Sequence, residues 1–563
     1  MLVGSMVVLA VFAGKLVDVQ VIHAGDLRSA ALDQRQRTVV LTADRGSIVD
    51  VDGDPLAVTV EARNITVDQT LIVDAPATAA ALAPVLGMPA ADIETRITGT
   101  RRFAYIAREV TPQMWGRVQA LGLRGISSER TTNRVYPAGS VAANVVGFVG
   151  SDGVGLGGLE YRLEPDLKGT DGSVAYERGA EGSAIPTAEI DRVEPVSGMT
   201  VRLTIDRDIQ YQAQQAIAEQ VAASQAESGS IIVMDARTFQ ILAMATAPTF
   251  DANQPGAAAA ADRGNRVVSD ATEPGSTSKV MTLAAVIDSG EAEPDTVIEV
   301  PETLERAGKV FHDVEDHGTL SLTLSGVLAR SSNIGTILAA ERITPTAFYD
   351  YLTRFGVGSR TGLNFPGESS GFIPTPDDWT GTSMPTIAFG QGLSMTVLQV
   401  ASVYATIAND GVRLAPSLVA DRRRPDGTVL TPVPDAGVRV ISAATAEKVR
   451  LMLETVVSKD GTGTEARIPG YRVGGKTGTA QYADPSCGCY NGQVVASFAG
   501  IAPIDRPGLV VAVSIVKPQV GRWGGELGGP VFKRVMTYAL QARGIPPTGA
   551  PQTSMPITPG SDR

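Results

Sequence analysis

Histidine and cysteine are scarce in this 563-residue chain, with His23, His312 and His317 the only histidines and Cys487 and Cys489 the only cysteines. Zinc sites draw mostly on imidazole and thiolate, and a serine triad needs a histidine base. The inventory is poor for both. His312 and His317 lie near each other without a clear ligand set and read as polar loop residues. Two sulfurs alone do not hold a metal; Gly488 between them permits a tight disulfide, but close spacing strains that geometry, so the sequence leaves their state open. Positive charge is also short: 48 Lys and Arg face 60 Asp and Glu, for a net charge of -12, which argues against nucleic acid as a partner.

The N-terminal apolar run, Leu2 to Gly14, falls short of the roughly 20 residues that span a bilayer. Lys15 is followed by Leu16-Val17 and Val19 to Ile22, and a snorkelling lysine lets the segment continue past it. A secretory signal lacks its basic n-region and cleavage site here. Residues 1–22 are therefore expected to be a membrane anchor without its basic cytoplasmic lead, with everything after about residue 25 outside the membrane.

What is present is ordinary core material, 43% hydrophobic and 19% charged, in a chain long enough for two or three domains. Ala24 to Arg37 resembles a polar helix and Thr38 to Thr42 a strand. Arg45-Gly-Ser-Ile-Val-Asp50 reads as strand and turn, with Arg45 and Asp50 structural. Residues 73–125 are Ala-rich and helical in flavour. Asp206 stands where a helix N-cap would, before a helix from Arg207 to Ala223 with the stripe Ile209, Ala213, Ala216, Ile217 and Val221. Strands are expected over Gly229–Asp235, Phe239–Thr246, Val494–Ala502 and Leu509–Val516. They imply an antiparallel sheet built from both ends of one α+β domain, with helices between. The polar, Pro-rich tail 544–563 reads as disordered.

Two phosphate-loop patterns mislead. Gly153-Val-Gly-Leu-Gly-Gly158 is a lone match with Pro165 soon after it. Gly470 to Thr477 fits G-x-x-x-x-G-K-T, but neither a strand before it nor a helix after it is expected, so the NTPase reading fails.

The chemistry lies elsewhere. In Glu273-Pro-Gly-Ser-Thr-Ser-Lys279 the Pro-Gly break precedes a helix, and residues three apart share a helix face. Ser276 and Lys279 can then meet, hydroxyl beside amine, near free backbone N–H groups at the helix start. A second Ser-x-x-Lys, Ser514 to Lys517, sits in an expected strand, where that spacing puts the two on opposite faces. Ser331-Ser-Asn333 and Lys476-Thr-Gly478 complete the order Ser-x-x-Lys, Ser-x-Asn, Lys-Thr-Gly. Alone, the first of these would be a helix-boundary loop and the second a glycine-flanked turn.

On these motifs the chain resembles the class B penicillin-binding proteins, most closely the division-type members (penicillin-binding protein 3). Arg45 to Asp50 is similar to the start of that family's pedestal module, Leu203-Thr-Ile-Asp206 with Gln210 to the entry of its transpeptidase domain, and Phe389-Gly-Gln-Gly392 and Ser458 to Ala466 to further segments. The resemblance implies an anchor (1–22), a pedestal or dimerisation-like module (23–198), a transpeptidase domain (199–543) and the tail (544–563). It also implies cross-linking of peptidoglycan stem peptides ending in D-Ala-D-Ala, through an acyl-enzyme on Ser276. Lys279 would be the base, Ser331 the proton relay, Asn333 the support for Lys279 and the substrate amide, and Lys476 a cation beside Lys279 that also holds the substrate carboxylate. Thr477, Gly478 and Thr479 would line the substrate site, with backbone N–H groups of Ser276 and Thr479 as oxyanion hole. β-Lactams would be trapped at Ser276. No cofactor or metal is implied; the expected partners are the membrane, a membrane glycosyltransferase and other division proteins. The rivals are an elongation-type enzyme, a β-lactamase or carboxypeptidase, and a silent cell-wall scaffold.

Overall fold

A computed structural model describes residues 2–25, 36–178, 184–484, 486–553 and 555–560. The expected polar helix over Ala24 to Arg37 falls mostly outside them. Leu2–Ile22 forms one helical segment of 21 residues with none of its side chains buried, and by length and composition it is the one described helix able to cross a membrane. Lys15 pairs with Asp18 near its end at 2.7 Å.

The chain from 48 to 135 builds a sheet that also takes strands from much later in the sequence. Ile48–Val49, Pro55–Val67 and Ala104–Val110 continue on one side into Thr200–Leu203, Val419–Arg423 and Val429–Leu430, while Ile126–Val135 pairs with Pro55–Val67. Ile48–Val49 lies parallel to Thr200–Leu203. The strand Ala104–Val110 corrects the helical reading of 73–125: only Ala75–Leu86, Ala90–Ile97 and Pro112–Ala120 are helices there. Ala composition hid a strand whose Ile106 is fully buried.

Arg45 and Arg134 converge on Glu160, each at 2.7 Å, and Glu160 has no exposed side-chain surface. Arg134 also donates to the carbonyl of Gly46 at 2.8 Å, so this carboxylate pins the segment that opens the sheet. Asp50 accepts from the N–H groups of Asp52 and Asp54 and shapes the next turn. Removing one partner of such a buried pair strands the others; Glu160→Ala is expected to destabilise by about 3–5 kcal/mol, read as a lowered melting midpoint.

The C-terminal part is organised on a five-stranded antiparallel sheet in the order Ile241–Ala247, Ser228–Asp235, Leu509–Val516, Cys489–Ala502, Gly474–Asp484. It takes strands from both ends of the domain, as the pattern implied. Successive residues serve opposite faces. Ile231 and Val233 pack toward helices Arg207–Ser224 and Gly524–Ala542. Ile232 and Met234 pack into the larger core with Val280, Leu283 and Tyr404. Both faces are covered, which is why these strands read as continuous apolar runs rather than alternating ones. Asp206 caps its helix, accepting from the N–H groups of Asp208 and Ile209.

The tail departs from its expected disorder. Ile557 accepts from Thr323 N at 3.0 Å and Met555 N donates to Thr455 Oγ1 at 3.1 Å, while both side chains pack on the core. Averaged composition concealed two well-placed apolar residues.

Candidate active site

Pro274 and Gly275 break the chain before a tight 3-10 turn, Gly275–Ser278, which runs into helix Lys279–Asp288. Gly275 has φ +54, a conformation open to glycine at little cost. Thr277 and Ser278 tie the turn down by donating to the carbonyls of Pro274 and Gly275 at 2.8 Å. Buried Tyr404 donates to Thr277 O at 2.9 Å. Ser276 is the partly exposed residue of this turn, and its Oγ has no hydrogen-bond partner among the described residues.

Strand Gly474–Asp484 lies at the sheet's edge, against this turn. A Cβ on Gly478 would stand 2.9 Å from Thr277 Cγ2 and 3.0 Å from Pro274 O. The glycine is what lets the strand close on Ser276. Gly470 to Thr477 therefore leads into a strand and not a phosphate-binding helix.

Lys279 and Lys476 are both fully buried. Lys279 Nζ donates to Asn333 Oδ1 at 2.8 Å, to Ser331 Oγ at 3.3 Å and to the Ser331 carbonyl. Lys476 Nζ donates to Ser331 Oγ at 2.9 Å and to Thr477 Oγ1 at 3.2 Å. The Ser331 hydroxyl thus bridges two amines from two different elements. Lys279 and Ser276 share the helix start, but the amine is turned toward Ser331 and Asn333 and makes no hydrogen bond to Ser276 Oγ. Thr477 Oγ1 is 2.8 Å from Thr462 Oγ1, and Thr479 Oγ1 accepts from Gly524 N at 3.1 Å.

Burial drives both lysines toward neutrality, because the charged form loses its water. Lys279 falls from 10.5 to about 7, with the charge of Asp313 partly opposing the shift. Lys476 is lowered well below its usual value, first by burial and then by repulsion from Lys279. The pair titrates as a unit. A hydroxyl between two such amines can pass a proton from one side of the cluster to the other.

Ser331 itself has φ +59, a left-handed conformation that costs a non-glycine residue about 1–3 kcal/mol and persists only where surroundings enforce it. It lies in the sharp connection between helices Leu324–Ala329 and Asn333–Ala340. Asp313 enforces that connection. It accepts from Ser332 Oγ at 2.6 Å, from Asn333 N at 2.5 Å and from Ile334 N at 3.0 Å. His317, read as a loop residue, pairs with Asp313 at 3.1 Å, and Asn333 Nδ2 donates to the His312 carbonyl.

Sequence reasoning missed Asp313, which carries no motif and lies far from Ser331 along the chain. It also gave no role to Glu273, which opens the same stretch three residues before Ser276. Glu273 Oε1 accepts from Gly392 N at 2.9 Å and from Tyr490 Oη at 2.8 Å, joining the turn that carries Ser276, the Phe389-Gly-Gln-Gly392 segment and the hairpin beyond the Lys-Thr-Gly strand. Burial holds its carboxyl above the usual range. In that hairpin Cys487 and Cys489 form a disulfide, which resolves the open alternative. Thr462, at the centre of Gly461-Thr-Gly463 within the Ser458 to Ala466 segment, contacts Thr477 and gives that segment a place at the site.

Known proteins resemble the chain along nearly all of its length. The family model of the penicillin binding protein transpeptidase domain matches residues 229–537, and that of the penicillin-binding protein dimerisation domain matches residues 40–203. Penicillin-binding protein PbpB of Mycolicibacterium smegmatis is 40% identical, covering 99% of this chain and 92% of that one. Peptidoglycan D,D-transpeptidase FtsI of Escherichia coli is 33% identical, covering 96% and 91%. Among solved structures, penicillin binding protein 3 of Mycobacterium tuberculosis complexed with ampicillin aligns at TM-score 0.74 and 36% identity, over 92% of this chain and all of that one.

Proposed function

This chain belongs to the penicillin-binding protein transpeptidase family, whose members are peptidoglycan D,D-transpeptidases, and on that premise we propose that it cross-links stem peptides through an ester on Ser276, in septal wall synthesis. The observation that carries the mechanism is the buried Lys279–Ser331–Lys476 cluster beside an uncommitted Ser276 hydroxyl.

Ser276 Oγ attacks the carbonyl carbon between the two terminal D-alanines while neutral Lys279 takes its proton. Backbone N–H groups of Ser276 and Thr479 receive the developing oxyanion. Collapse breaks the C–N bond; the leaving amine of D-alanine takes a proton through Ser331, drawn from the lysine cluster. Lys476, Thr477 and Thr479 hold the terminal carboxylate, Gly478 keeps the strand close, and Asn333 holds the peptide amide. A neighbouring stem's amine then attacks the ester, the cross-link forms and Ser276 recovers its proton. Of the carboxylates near the cluster, Asp313 is engaged at a helix start and Glu273 holds Gly392 and Tyr490 through Oε1. β-Lactams would acylate the same serine and stay there.

The helix Leu2–Ile22 would anchor the chain in the cell membrane, with the catalytic part outside and a membrane glycosyltransferase and division proteins as partners. The test of the reaction is a donor peptide ending in D-Ala-D-Ala mixed with an amine acceptor. The expected result is one released D-alanine per cross-linked product; release without cross-linking would favour a carboxypeptidase. For the septal role, depletion is expected to give filamentous cells, whereas rounded cells would assign the chain to elongation.

A further inference from the structure

One loop residue outside the three motifs is bound more tightly to them than its position in the sequence suggests. Asp313 follows strand Lys309–His312, and only 9% of its side chain is exposed. Its Oδ1 accepts from two successive N–H groups, Asn333 and Ile334, and its Oδ2 from Ser332 Oγ. These are the first free donors of helix Asn333–Ala340, where an anionic acceptor is favoured by both hydrogen bonding and the helix dipole. Ser332 already caps that helix by accepting from Gly335 N at 2.8 Å. The second, charged cap therefore does something beyond ending the helix.

We propose that Asp313 is a positioning residue for acyl transfer: its carboxylate holds the Ser331–Asn333 turn in register with Lys279 and sets the charge balance that the buried lysine pair experiences. The inference rests on the reading that Ser276 is acylated with Lys279 as base.

Two steps connect the carboxylate to the reaction. The first is geometric. Asn333 Oδ1 receives Lys279 Nζ, and Ser331 Oγ receives both lysines. Both acceptors hang on a backbone with one residue in the left-handed region, and the Asp313 bonds to Ser332, Asn333 and Ile334 fix its far side. The second is electrostatic. Lys279 faces Lys476 on strand Gly474–Asp484, neutral Ser331 and Asn333 on the turn, and Asp313 on the loop. Asp313 favours keeping the proton on Lys279, and the charge of Lys279 in turn drives the proton off Lys476. His317 faces Asp313 from the same loop.

Asp313→Asn keeps an oxygen for the two N–H groups and removes the charge; Asp313→Ala removes both. Acylation of the full chain by a fluorescent penicillin is followed on either side of pH 7, normalised to the sites finally labelled, with melting curves for each variant. The expected result for Asp313→Asn is an acid limb moved to lower pH, because Lys279 loses its proton more readily. The expected result for Asp313→Ala is acylation slowed by about tenfold or more, the scale on which small misplacements act. A merely structural residue would change the fraction of active protein and leave the acid limb in place. An Asp313→Asn profile superimposed on the wild type overturns the proposal, and decides alone if Asp313→Ala does not fold. Absence of label at Ser276 in the wild type would instead overturn the reading on which the proposal rests.

Discussion

Wild-type protein incubated with a fluorescent penicillin is expected to carry one stable acyl group, located by peptide mass mapping on Ser276, and Ser276→Ala to carry none. The expected loss is complete because the label is covalent and the turn offers no second nucleophile in the same place. Thr277 and Ser278 are hydroxyl neighbours, but both donate to carbonyls inside the turn and both are buried. Ser331 is held between the two lysines. Ser514 is on a strand paired at both sides, and Lys517 beyond it pairs with Glu227 at 2.8 Å, so the other Ser-x-x-Lys has no means to react. The alanine variant is expected to melt as the wild type does, since Ser276 Oγ makes no hydrogen bond among the described residues. An adduct persisting in Ser276→Ala would place the nucleophile elsewhere. No adduct in the wild type would favour a scaffold, and rapid loss of the adduct a β-lactamase.

The parts of this site that the sequence revealed are those whose chemistry and spacing act locally. Ser276 and Lys279 were legible because helical periodicity puts them on one face and strand periodicity separates Ser514 from Lys517. The central sheet was legible from apolar runs near Ser228–Asp235 and Leu509–Val516 whose burial on both faces leaves no polar alternation. Asp313 was not, because an aspartate in a polar loop looks the same whether it faces water or caps a helix distant in sequence. The direction of Lys279 was hidden for a related reason. Periodicity gives the face shared with Ser276, but a flexible lysine follows its acceptors, and those lie on Ser331 and Asn333. Ala104–Val110 failed for the opposite reason: local composition favoured a helix, while pairing with Pro55–Val67, a tertiary effect, made it a strand.

The acylation rate is expected to fall as pH drops below about 7, the value to which burial lowers Lys279, approaching tenfold per pH unit well below it. The sign follows from the role. A base must be neutral before the reaction, so the active form is the deprotonated one and is lost as pH falls through its pKa. Arginine at this position keeps the charge and cannot shed its proton; Lys279→Arg is therefore expected to lose about 10²–10⁴-fold in acylation rate, measured by stopped-flow fluorescence with a penicillin reporter. Lys279→Arg acylating at the wild-type rate would remove Lys279 as base. The second lysine sharpens the assignment. Lys476 and Lys279 share the Ser331 hydroxyl, but burial and the charge of Lys279 drive Lys476 to neutrality, while the shift of Lys279 comes from burial, opposed by Asp313. Replacing Lys476 by methionine, which fills the buried space, is therefore expected to leave the acid limb in place, whereas Asp313→Asn moves it to lower pH. A limb that follows Asp313 and not Lys476 would identify Lys279 as the group that titrates.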